Sequence, residues 1–320
     1  MTSGVIVVGA GIAGVACATE LVRAGVAVQI RERGRVAGGR MASRRFDGRP
    51  ADTGAAYLTV DDPDFAEVVR GWRAAGLVRE WTDTFVAYGP DGRREVTGPT
   101  RWAAPRGLRS LVEELARDLP VSVDRLVMTV RPGPTVDGAG CAAVALCMPG
   151  PQAALLLDPE LADATRAALE QRWAPTLSAV LRFPNRRWPE FRGAFVNDHP
   201  LLGLVCDDGD RRGDGAPVLV AHTTPEFAAG HLAQPSAAGP AVEEAVRDLL
   251  GLPEPAELVH VHRWTYARPT AAAGDGTYHL DDDGVGLAGD AFGRPRVQSA
   301  WRSGRDLGRA LAERVLAVRG

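Results

Sequence analysis

Three glycines near the start of the chain are spaced as a dinucleotide-binding turn requires. The segment Gly9–Gly14 reads Gly-Ala-Gly-Ile-Ala-Gly and follows the apolar run Val5–Val8. In such a turn the first glycine permits the bend, the second lets backbone N–H groups approach a pyrophosphate, and the third lets the next helix pack on the strand. Glu32 closely follows the apolar run Val26–Ile30, where its carboxylate can accept hydrogen bonds from an adenosine ribose. These residues fit NAD and FAD equally well.

A second glycine-rich segment favours FAD. Gly38–Met41 reads Gly-Gly-Arg-Met and is followed by Arg44, Arg45 and then Asp52–Tyr57. A glycine pair followed by arginine offers free backbone and a fixed cation to another face of a diphosphate, which a nicotinamide dehydrogenase does not need here. The alternative is a glycine-rich turn with a solvated basic run. The order and spacing of the two motifs favour the diphosphate interpretation.

The C-terminal part contains a third element. Val285–Asp290 reads as a short apolar strand that ends in Gly-Asp, and a loop through Gly293 leads to a helix predicted from about Val297 to Val318. Gly-Asp alone is a common turn. Together with the first two motifs, however, the aspartate can accept from a ribityl hydroxyl, and the helix N-terminus can face the pyrimidine edge of a flavin. The chain is therefore predicted to leave the nucleotide domain and return to it.

Further segments, spread over nearly the whole chain, carry a family pattern. They are Gly38–Arg44, Asp52–Thr59, Thr100–Trp102, Pro149–Ala153, His262–Pro269, Gly289–Asp290 and Ala300–Gly304. Together they resemble bacterial renalase-type flavoproteins, within the wider flavin amine oxidase superfamily. The resemblance implies an α/β, two-lobed FAD-binding fold with a Rossmann-type nucleotide domain and an antiparallel-sheet substrate domain. It also implies oxidation of dihydronicotinamide isomers of NAD(P)H to NAD(P)+, with O2 reduced to H2O2.

Two domains are predicted. The FAD-binding domain is discontinuous and takes 1–62, 100–152 and 280–320, and the substrate domain takes 63–99 and 153–279. Strands near 178–183, 193–198, 217–222 and 258–264, with a helix near 240–250, fit an antiparallel sheet with helical cover.

Several shorter predictions concern single elements. Asp62 and Pro63 are a plausible N-cap and first residue of a helix through about Ala75. A hairpin is predicted at 81–96, and strands at Val121–Val130 and Cys141–Met148. The charged, glycine-rich segment Asp207–Gly215 is predicted to be a mobile surface turn without chemistry.

Candidate site residues fall into two groups. The cofactor-binding candidates are Gly9, Gly11, Ile12, Ala13, Gly14, Glu32, Arg33, Gly39, Arg40, Met41, Gly54, Ala55, Ala56, Gly289, Asp290, Arg296 and Val297. The catalytic candidates are Tyr57, His222, Trp264, Tyr266 and Arg268. His222 either faces the flavin or is a satisfied core histidine, and the alternation of Trp264, Tyr266 and Arg268 is explained either by packing or by a pocket wall. The step Arg268-Pro269 is expected to leave the strand.

Composition excludes several classes of function. A net charge of −3 and a pI near 6.1 give no electrostatic case for a nucleic-acid partner. No uninterrupted apolar stretch of about 18 residues occurs, so no membrane span is predicted. The four cysteines lack Cys-x-x-Cys spacing, which favours a reduced, cytoplasmic protein. No metal site is expected, because no carboxylate or cysteine cluster joins His260 and His262. A monomer and a homodimer both remain open.

The basic residues restrict the chemistry. All 37 residues of the Lys+Arg total are arginine, so neither a Schiff-base lysine nor the lysine–water pair of many amine oxidases can exist. A dihydropyridine substrate needs neither, because it gives up hydride directly and becomes an aromatic cation. No cysteine follows Cys206, and the resemblance therefore implies non-covalent FAD that is released on denaturation.

Two departures from the family pattern concern the substrate pocket. Ala56 stands where the family commonly has glutamine, and Leu177 stands where a tryptophan is common. Both are expected to alter the pocket and not the flavin site. They leave open a flavin-dependent oxidase or dehydrogenase of another small substrate, such as an amine or a secondary metabolite. A flavin-binding protein without turnover is the third alternative.

Overall fold

The computed structural model describes residues 4–318. Its helices are α1 (Ile12–Arg23), α2 (Pro63–Ala74), α3 (Arg109–Leu115), α4 (Gly150–Ala154), α5 (Ala162–Leu169), α6 (Asp208–Arg212), α7 (Pro225–Ala229), α8 (Gly239–Leu250) and α9 (Val297–Ala317). Its strands are β1 (Val5–Val8), β2 (Val28–Arg31), β3 (Ser43–Phe46), β4 (Arg49–Asp52), β5 (Arg79–Gly89), β6 (Gly92–Ala103), β7 (Val121–Ser122), β8 (Val130–Arg131), β9 (Thr135–Val136), β10 (Ala139–Gly140), β11 (Ala143–Leu146), β12 (Trp173–Arg182), β13 (Gly193–Val196), β14 (Leu202–Asp207), β15 (Val218–Thr223), β16 (Leu258–Pro269), β17 (His279–Leu280) and β18 (Val285–Leu287).

The chain forms two compact units. The first takes its described residues from 1–41, 112–173 and 268–320, and the second consists of 42–111 and 174–267. These bounds differ from those of the predicted domains, and packing contacts explain two of the differences. The hairpin β3–β4 belongs to the second unit, where Asp52 pairs with Arg212. Helix α5 belongs to the first unit, where Ala164 and Ala168 pack in one hydrophobic cluster with Val285.

The first unit is built on a six-stranded sheet. The strand order is β17-β18-β11-β1-β2-β7. The central strands are parallel, and only β17 pairs antiparallel to its neighbour. β1 and α1 confirm the strand and helix predicted around the first glycine motif. Since ligands of open parallel sheets bind beyond the carboxyl ends of the strands, the turn after β1 is where a nucleotide is expected.

Two glycines of α9 permit close helix packing in the first unit. A Cβ atom on Gly304 would lie 1.9 Å from the carbonyl oxygen of Ala13, and one on Gly308 would lie 2.5 Å from that of Cys17. Neither position can carry a larger side chain without moving α1. The C-terminal helix is therefore packed directly against the helix that follows the first glycine motif.

The second unit is built on a seven-stranded sheet. The strand order is β16-β12-β15-β14-β13-β5-β6, in which β13 and β5 are parallel, while β12–β15, β14–β15, β13–β14 and β5–β6 are antiparallel. We call the side that carries Leu177, Ala179 and Leu181 the Leu181 face; it packs in a cluster with Val242 and Val246 of α8. The opposite side, which carries Val180 and Val220, is the Val180 face.

Most elements lie close to their predicted positions. Asp62 caps α2 and accepts a hydrogen bond from the backbone N–H of Phe65, as its position before Pro63 predicts. The hairpin β5–β6 is also confirmed, although its strands are longer than predicted.

Three predictions are wrong. The segment Val121–Val130 is not one strand: only short strands stand at its ends, because Asp124 has a φ of 51° and the chain turns there. The step Arg268-Pro269 does not leave the strand, since β16 continues to Pro269. Asp207–Gly215 is not a mobile surface turn: β14 ends in it and α6 begins in it, and Asp208 and Arg211 are fully buried.

Candidate functional site

The first glycine motif forms a turn that a diphosphate can approach. Gly9 has a φ of 102°, and a Cβ on Gly14 would lie 2.0 Å from the carbonyl oxygen of Gly9. The first hydrogen bond of α1 runs from the N–H of Val15 to the carbonyl oxygen of Gly11. The N–H groups that precede Val15 therefore have no partner within α1. No side chain caps α1 and no acidic residue lies in its first turn. These free donors and the helix dipole favour an anion at this end.

The second glycine motif lies against the first. The N–H of Gly38 donates to the carbonyl oxygen of Ala10 at 2.9 Å. Gly39 has a φ of 52°, and a Cβ built on it would lie 3.2 Å from Cα of Gly11. Any larger residue at position 39 would therefore be strained and crowded. The structure brings the two motifs together, as a single diphosphate site requires.

Glu32 is fixed at the same turn. One carboxylate oxygen accepts from the backbone N–H of Ala10 at 2.8 Å, and the other accepts from that of Gly34 at 2.6 Å. Each oxygen keeps a further lone pair that can accept a ribose hydroxyl. These two backbone bonds fix the position of the carboxylate.

Arg40 and Asp290 join the second glycine motif to the C-terminal element. Their side chains form a bidentate ion pair with N–O distances of 2.6 and 3.1 Å. The Arg40 guanidinium also lies 4.8 Å from the ring centre of Trp173. This geometry depends on the planar fork of arginine, which an ammonium group does not provide.

The N-terminus of α9 is the second helix end of this unit. Its N-cap, Arg296, makes no capping bond through its side chain, and the first turn from Val297 contains no acidic residue. The helix dipole therefore favours an electron-rich group at this end of α9. Two helix N-termini, a carboxylate and a glycine cradle that a Cβ would fill are features that suit a dinucleotide such as FAD, and the residues of this unit fit that cofactor. Met41 is buried, whereas Arg33 is exposed, and its role at the cofactor stays a prediction.

Replacing Arg40 by lysine is expected to weaken FAD binding by roughly three- to tenfold, because one bond of the fork that fixes Asp290 beside the proposed cofactor site is lost. The measurement is the dissociation constant of FAD for refolded apoprotein. Arg45→Lys is the matched control, since Arg45 is exposed and donates to the carbonyl oxygen of Gly48. Equal constants for wild type and Arg40→Lys would contradict a role of the Arg40–Asp290 pair in holding the cofactor.

The segment Gly54–Tyr57 lies in the second unit and is held by backbone contacts. The Arg211 guanidinium donates to the carbonyl oxygen of Ala56 at 2.7 Å, and the indole N–H of Trp264 donates to that of Thr53 at 2.6 Å. Gly54 and Ala56 are buried, and Ala55 is half-buried. Trp264 therefore has a defined structural contact within this unit.

A buried cluster of arginines and aspartates fixes this segment. It consists of Arg49, Asp52, Asp208, Arg211 and Arg212, which we call the arginine–aspartate cluster. Asp208 is fully buried and accepts from Arg211 at 3.0 Å and from Arg49 at 2.7 Å. Burial raises the pKa of Asp208, but the charges of Arg211, Arg212 and Arg49 outweigh it and lower the pKa to about 2. The sequence interpretation missed this cluster because no motif marks it.

Arg101 lies inside an aromatic cluster of the second unit. Its guanidinium carbon is 4.0 Å from the ring centre of Phe85, 5.4 Å from that of Tyr57 and 5.8 Å from that of Phe195. Arg101 is 5% exposed and donates to the carbonyl oxygen of Asp83. Burial raises the pKa of Tyr57, against the opposing effect of Arg101, so the phenol stays protonated. The sequence feature that could have identified Arg101 as a site residue is its place in the motif Thr100–Trp102.

His222 lies on the Val180 face. Its Nε2 atom is inaccessible and makes no hydrogen bond in the described part of the chain. Burial lowers the pKa of His222 to about 4, with a further contribution from the Arg211 guanidinium. The imidazole is therefore neutral at neutral pH, and its unpaired Nε2 atom does not support the interpretation as a satisfied core histidine.

The shifted pKa of His222 predicts an acid-sensitive stability. In the unfolded chain a histidine titrates near 6.5, so between pH 6.5 and 4 the unfolded state binds the proton and the folded state does not. The stability from neutral His222 is full above this window and falls as pH falls through it, by on the order of 3 kcal/mol. In urea unfolding at several pH values, His222→Gln is expected to remove that part of the pH dependence. Parallel curves for wild type and variant would contradict it.

The other catalytic candidates are placed as follows. Tyr57 and Tyr266 are half-buried in the second unit, and Arg268 is an exposed residue of the first unit. Leu177 is fully buried on the Leu181 face, within the hydrophobic cluster beneath α8. Leu177 stands where the family pattern commonly has tryptophan. Because Leu177 lies on the Leu181 face, this difference changes the packing of the core on that side of the sheet and not the residues that line the Val180 face.

The comparisons with known proteins identify the class of this chain. Residues 7–72 match the NAD(P)-binding Rossmann-like domain, in agreement with the glycine turn after β1. Residues 74–311 match the family described as flavin containing amine oxidoreductase. The protein is an FAD-dependent oxidoreductase with a Rossmann-type domain. Since the second match covers most of the chain, it belongs to the flavin-containing amine oxidoreductase family.

Solved structures support the same fold. Cyclohexylamine oxidase from Brevibacterium oxydans IH-35A is similar with a TM-score of 0.79 at 12% identity, covering 99% of this chain and 100% of that one. Putrescine oxidase bound to putrescine has a TM-score of 0.68 at 14% identity, covering 99% of each chain. A protein from Exiguobacterium sp. 255-15, named as a protoporphyrinogen oxidase, has a TM-score of 0.74 at 15% identity, covering 98% and 99%. At these identities the likeness concerns the fold and not the substrate.

Two features are absent from the described residues. Between residues 4 and 318, no helix is long and apolar enough to cross a membrane. Within the same range, no three His, Cys, Asp or Glu side chains are grouped as a metal site requires.

Proposed function

We propose that this protein oxidises dihydronicotinamide isomers of NAD(P)H to NAD(P)+, as renalase-type flavoproteins do. Bound FAD supplies the hydride acceptor, and O2 is the proposed final oxidant. The proposed location is the cytoplasm, which agrees with four free cysteines. The proposal concerns the substrate and its oxidant, since the flavoprotein class follows from the family.

The observation that carries the proposal is the occupied aromatic cluster around Arg101. The faces of Phe85, Tyr57 and Phe195 attract a cation, and Arg101 already supplies one. Among the described residues, no carboxylate forms an ion pair with Arg101. An alkylammonium substrate would meet a buried positive charge at these rings. A neutral dihydropyridine ring would not be repelled by the charge of Arg101.

The candidate bases point in the same direction. An ammonium substrate must lose a proton before hydride leaves its carbon, and an effective base has a pKa near the working pH. His222 has a pKa of about 4, Tyr57 stays protonated, and the chain contains no lysine. A dihydropyridine needs no base because hydride loss yields its aromatic cation directly. The second unit is therefore better suited to exclude water and orient such a ring than to move a proton.

Amine oxidation is the second candidate function. The family description favours it, and the similar folds include oxidases of putrescine and cyclohexylamine. In that case an amine would bind away from the ring faces that Arg101 occupies.

Aerobic turnover tests the proposal. Holoprotein is mixed with 2-dihydro and 6-dihydro isomers of NADH or NADPH, and nucleotide, O2 and H2O2 are measured together. For each molecule of isomer oxidised, we expect one O2 and one proton to be consumed. One NAD(P)+ and one H2O2 should be formed. Ordinary NADH is the matched control and should react far more slowly. Formation of aldehyde and ammonia from amines, with no NAD(P)+ from the isomers, would overturn the proposal.

A further inference from the structure

A row of side chains crosses the Val180 face from strand to strand. The register pairs Phe195 with Leu204, Leu204 with His222, and His222 with Ser178. Paired residues of antiparallel strands point to the same face, so these four side chains form one continuous row. One end of the row is aromatic. The other end, at Ser178 and His222, is polar.

The two polar side chains at this end lack partners. Ser178 is fully buried, and its hydroxyl oxygen makes no hydrogen bond in the described part of the chain. The Nε2 atom of His222 is equally inaccessible and equally unpaired. A buried polar group without a partner costs roughly 1–3 kcal/mol, and two such groups side by side are rare in folded proteins. A ligand that bonds to both would recover this cost.

We propose that Ser178 and His222 form a two-point binding site for a neutral amide group, specifically the carboxamide of a nicotinamide ring. This inference rests on the proposed function, because it assigns the recognition of that substrate class. A carboxamide offers one acceptor and two donors, and a hydroxyl and a neutral imidazole can each donate or accept. The pair therefore matches an amide, which needs a donor and an acceptor together.

The surroundings discriminate against charged groups. The Arg211 guanidinium acts on His222, and together with burial it keeps the imidazole neutral. Burial disfavours an ammonium in the same way as the charged imidazole, and the nearby Asp208 carboxylate is already paired with Arg211. A carboxylate would need a donor from both groups and could not use the acceptor of either. The neighbouring residue along the row, Leu204, is apolar and suits the ring carbons of a pyridine.

The test compares two ligands on FAD-loaded protein. NAD+ carries the carboxamide, and its 3-acetylpyridine analogue carries a methyl ketone that lacks the amide donor. Dissociation constants are measured by calorimetry for wild type, Ser178→Ala, His222→Leu and His222→Gln. His260→Gln is the matched control, because His260 lies on the same sheet with its own unpaired Nε2 but packs against Phe46.

Wild type is expected to prefer NAD+ by roughly three- to tenfold, the value of one hydrogen bond. Ser178→Ala and His222→Leu should abolish this preference, while His222→Gln and His260→Gln should retain it. Ser178→Ala should not lower the unfolding midpoint, which separates recognition from a structural role. An equal preference in all variants, or no preference in wild type, would overturn the inference and leave a buried water as the partner of both groups. Failure of the proposed function is distinct, because the isomers would then not be oxidised at all.

Discussion

Asp208→Asn is expected to be the most destabilising single change in the arginine–aspartate cluster. Asp208 is the fully buried carboxylate that offsets Arg211 and contacts Arg49 and Arg212. Removing one partner of a buried ion pair leaves uncompensated charge and costs about 3–5 kcal/mol. The free energy of unfolding in urea, followed by circular dichroism of the holoprotein, measures this loss. Asp208→Leu combined with Arg211→Met is expected to lose less than Asp208→Asn, because no buried charge then lacks its partner.

The control for this prediction is an exposed ion pair. Asp163 and Arg166 pair on the surface of α5, where both side chains are more than half exposed. Asp163→Asn should change the free energy of unfolding by less than about 1 kcal/mol. Because the pKa of Asp208 is lowered to about 2, its contribution is present above the unfolded value near 3.8 and is lost as pH falls toward 2. Equal stability of Asp208→Asn and Asp163→Asn would contradict the role of the cluster.

Glu32→Ala is expected to have the largest effect on cofactor affinity. The variant removes an acceptor for the ribose and also the two bonds that hold Ala10 and Gly34 in the turn. Loss of a charge-assisted acceptor costs about 1.5–3 kcal/mol, which is roughly a 10- to 150-fold rise in the dissociation constant of FAD. Glu32→Gln should lie between wild type and Glu32→Ala. Titration of apoprotein with FAD, followed by flavin fluorescence, gives the constants.

Glu67→Ala is the matched control for Glu32→Ala. Glu67 is exposed on α2 and pairs with its neighbour Arg70. Its loss should leave FAD binding unchanged. If Glu32→Ala bound FAD as tightly as Glu67→Ala, the adenosine end of the cofactor would have to lie elsewhere.

The sequence predicted the nucleotide turn well because that turn depends on local rules. Gly9, Gly11 and Gly14 have spacings set by one strand–helix bend, and Gly39 fits beside Gly11 because neither has a side chain. Asp62 before Pro63 likewise predicts a helix start from its nearest neighbours. Elements of this kind need no knowledge of distant residues.

The arginine–aspartate cluster could not be predicted in the same way. Asp208, Arg211 and Arg212 read as a solvated charge run, because burial of charge depends on partners far away in sequence such as Arg49 and Asp52. The periodicity of hydrophobic residues does not reveal such pairs. No local signal distinguishes a buried ion pair from an exposed one.

The sequence also could not show which residues lie on which face of the seven-stranded sheet. Leu177, Ser178, Ala179 and Val180 are all buried, so alternation between polar and apolar residues does not show which side faces the helix. Only the register of β12 with β15 shows that Ser178 lies beside His222 while Leu177 points into the core.

Anaerobic stopped-flow mixing tests the central claim most directly. FAD-loaded protein is mixed with 2-dihydro and 6-dihydro isomers of NAD(P)H, with ordinary NADH and with a panel of amines, and loss of flavin absorbance is followed. The account predicts that the isomers bleach the flavin within the first turnover and faster than any amine, with NADH reacting slowly. Rapid bleaching by an amine, with none by the isomers, would contradict the account, and bleaching by no compound would indicate flavin binding without turnover.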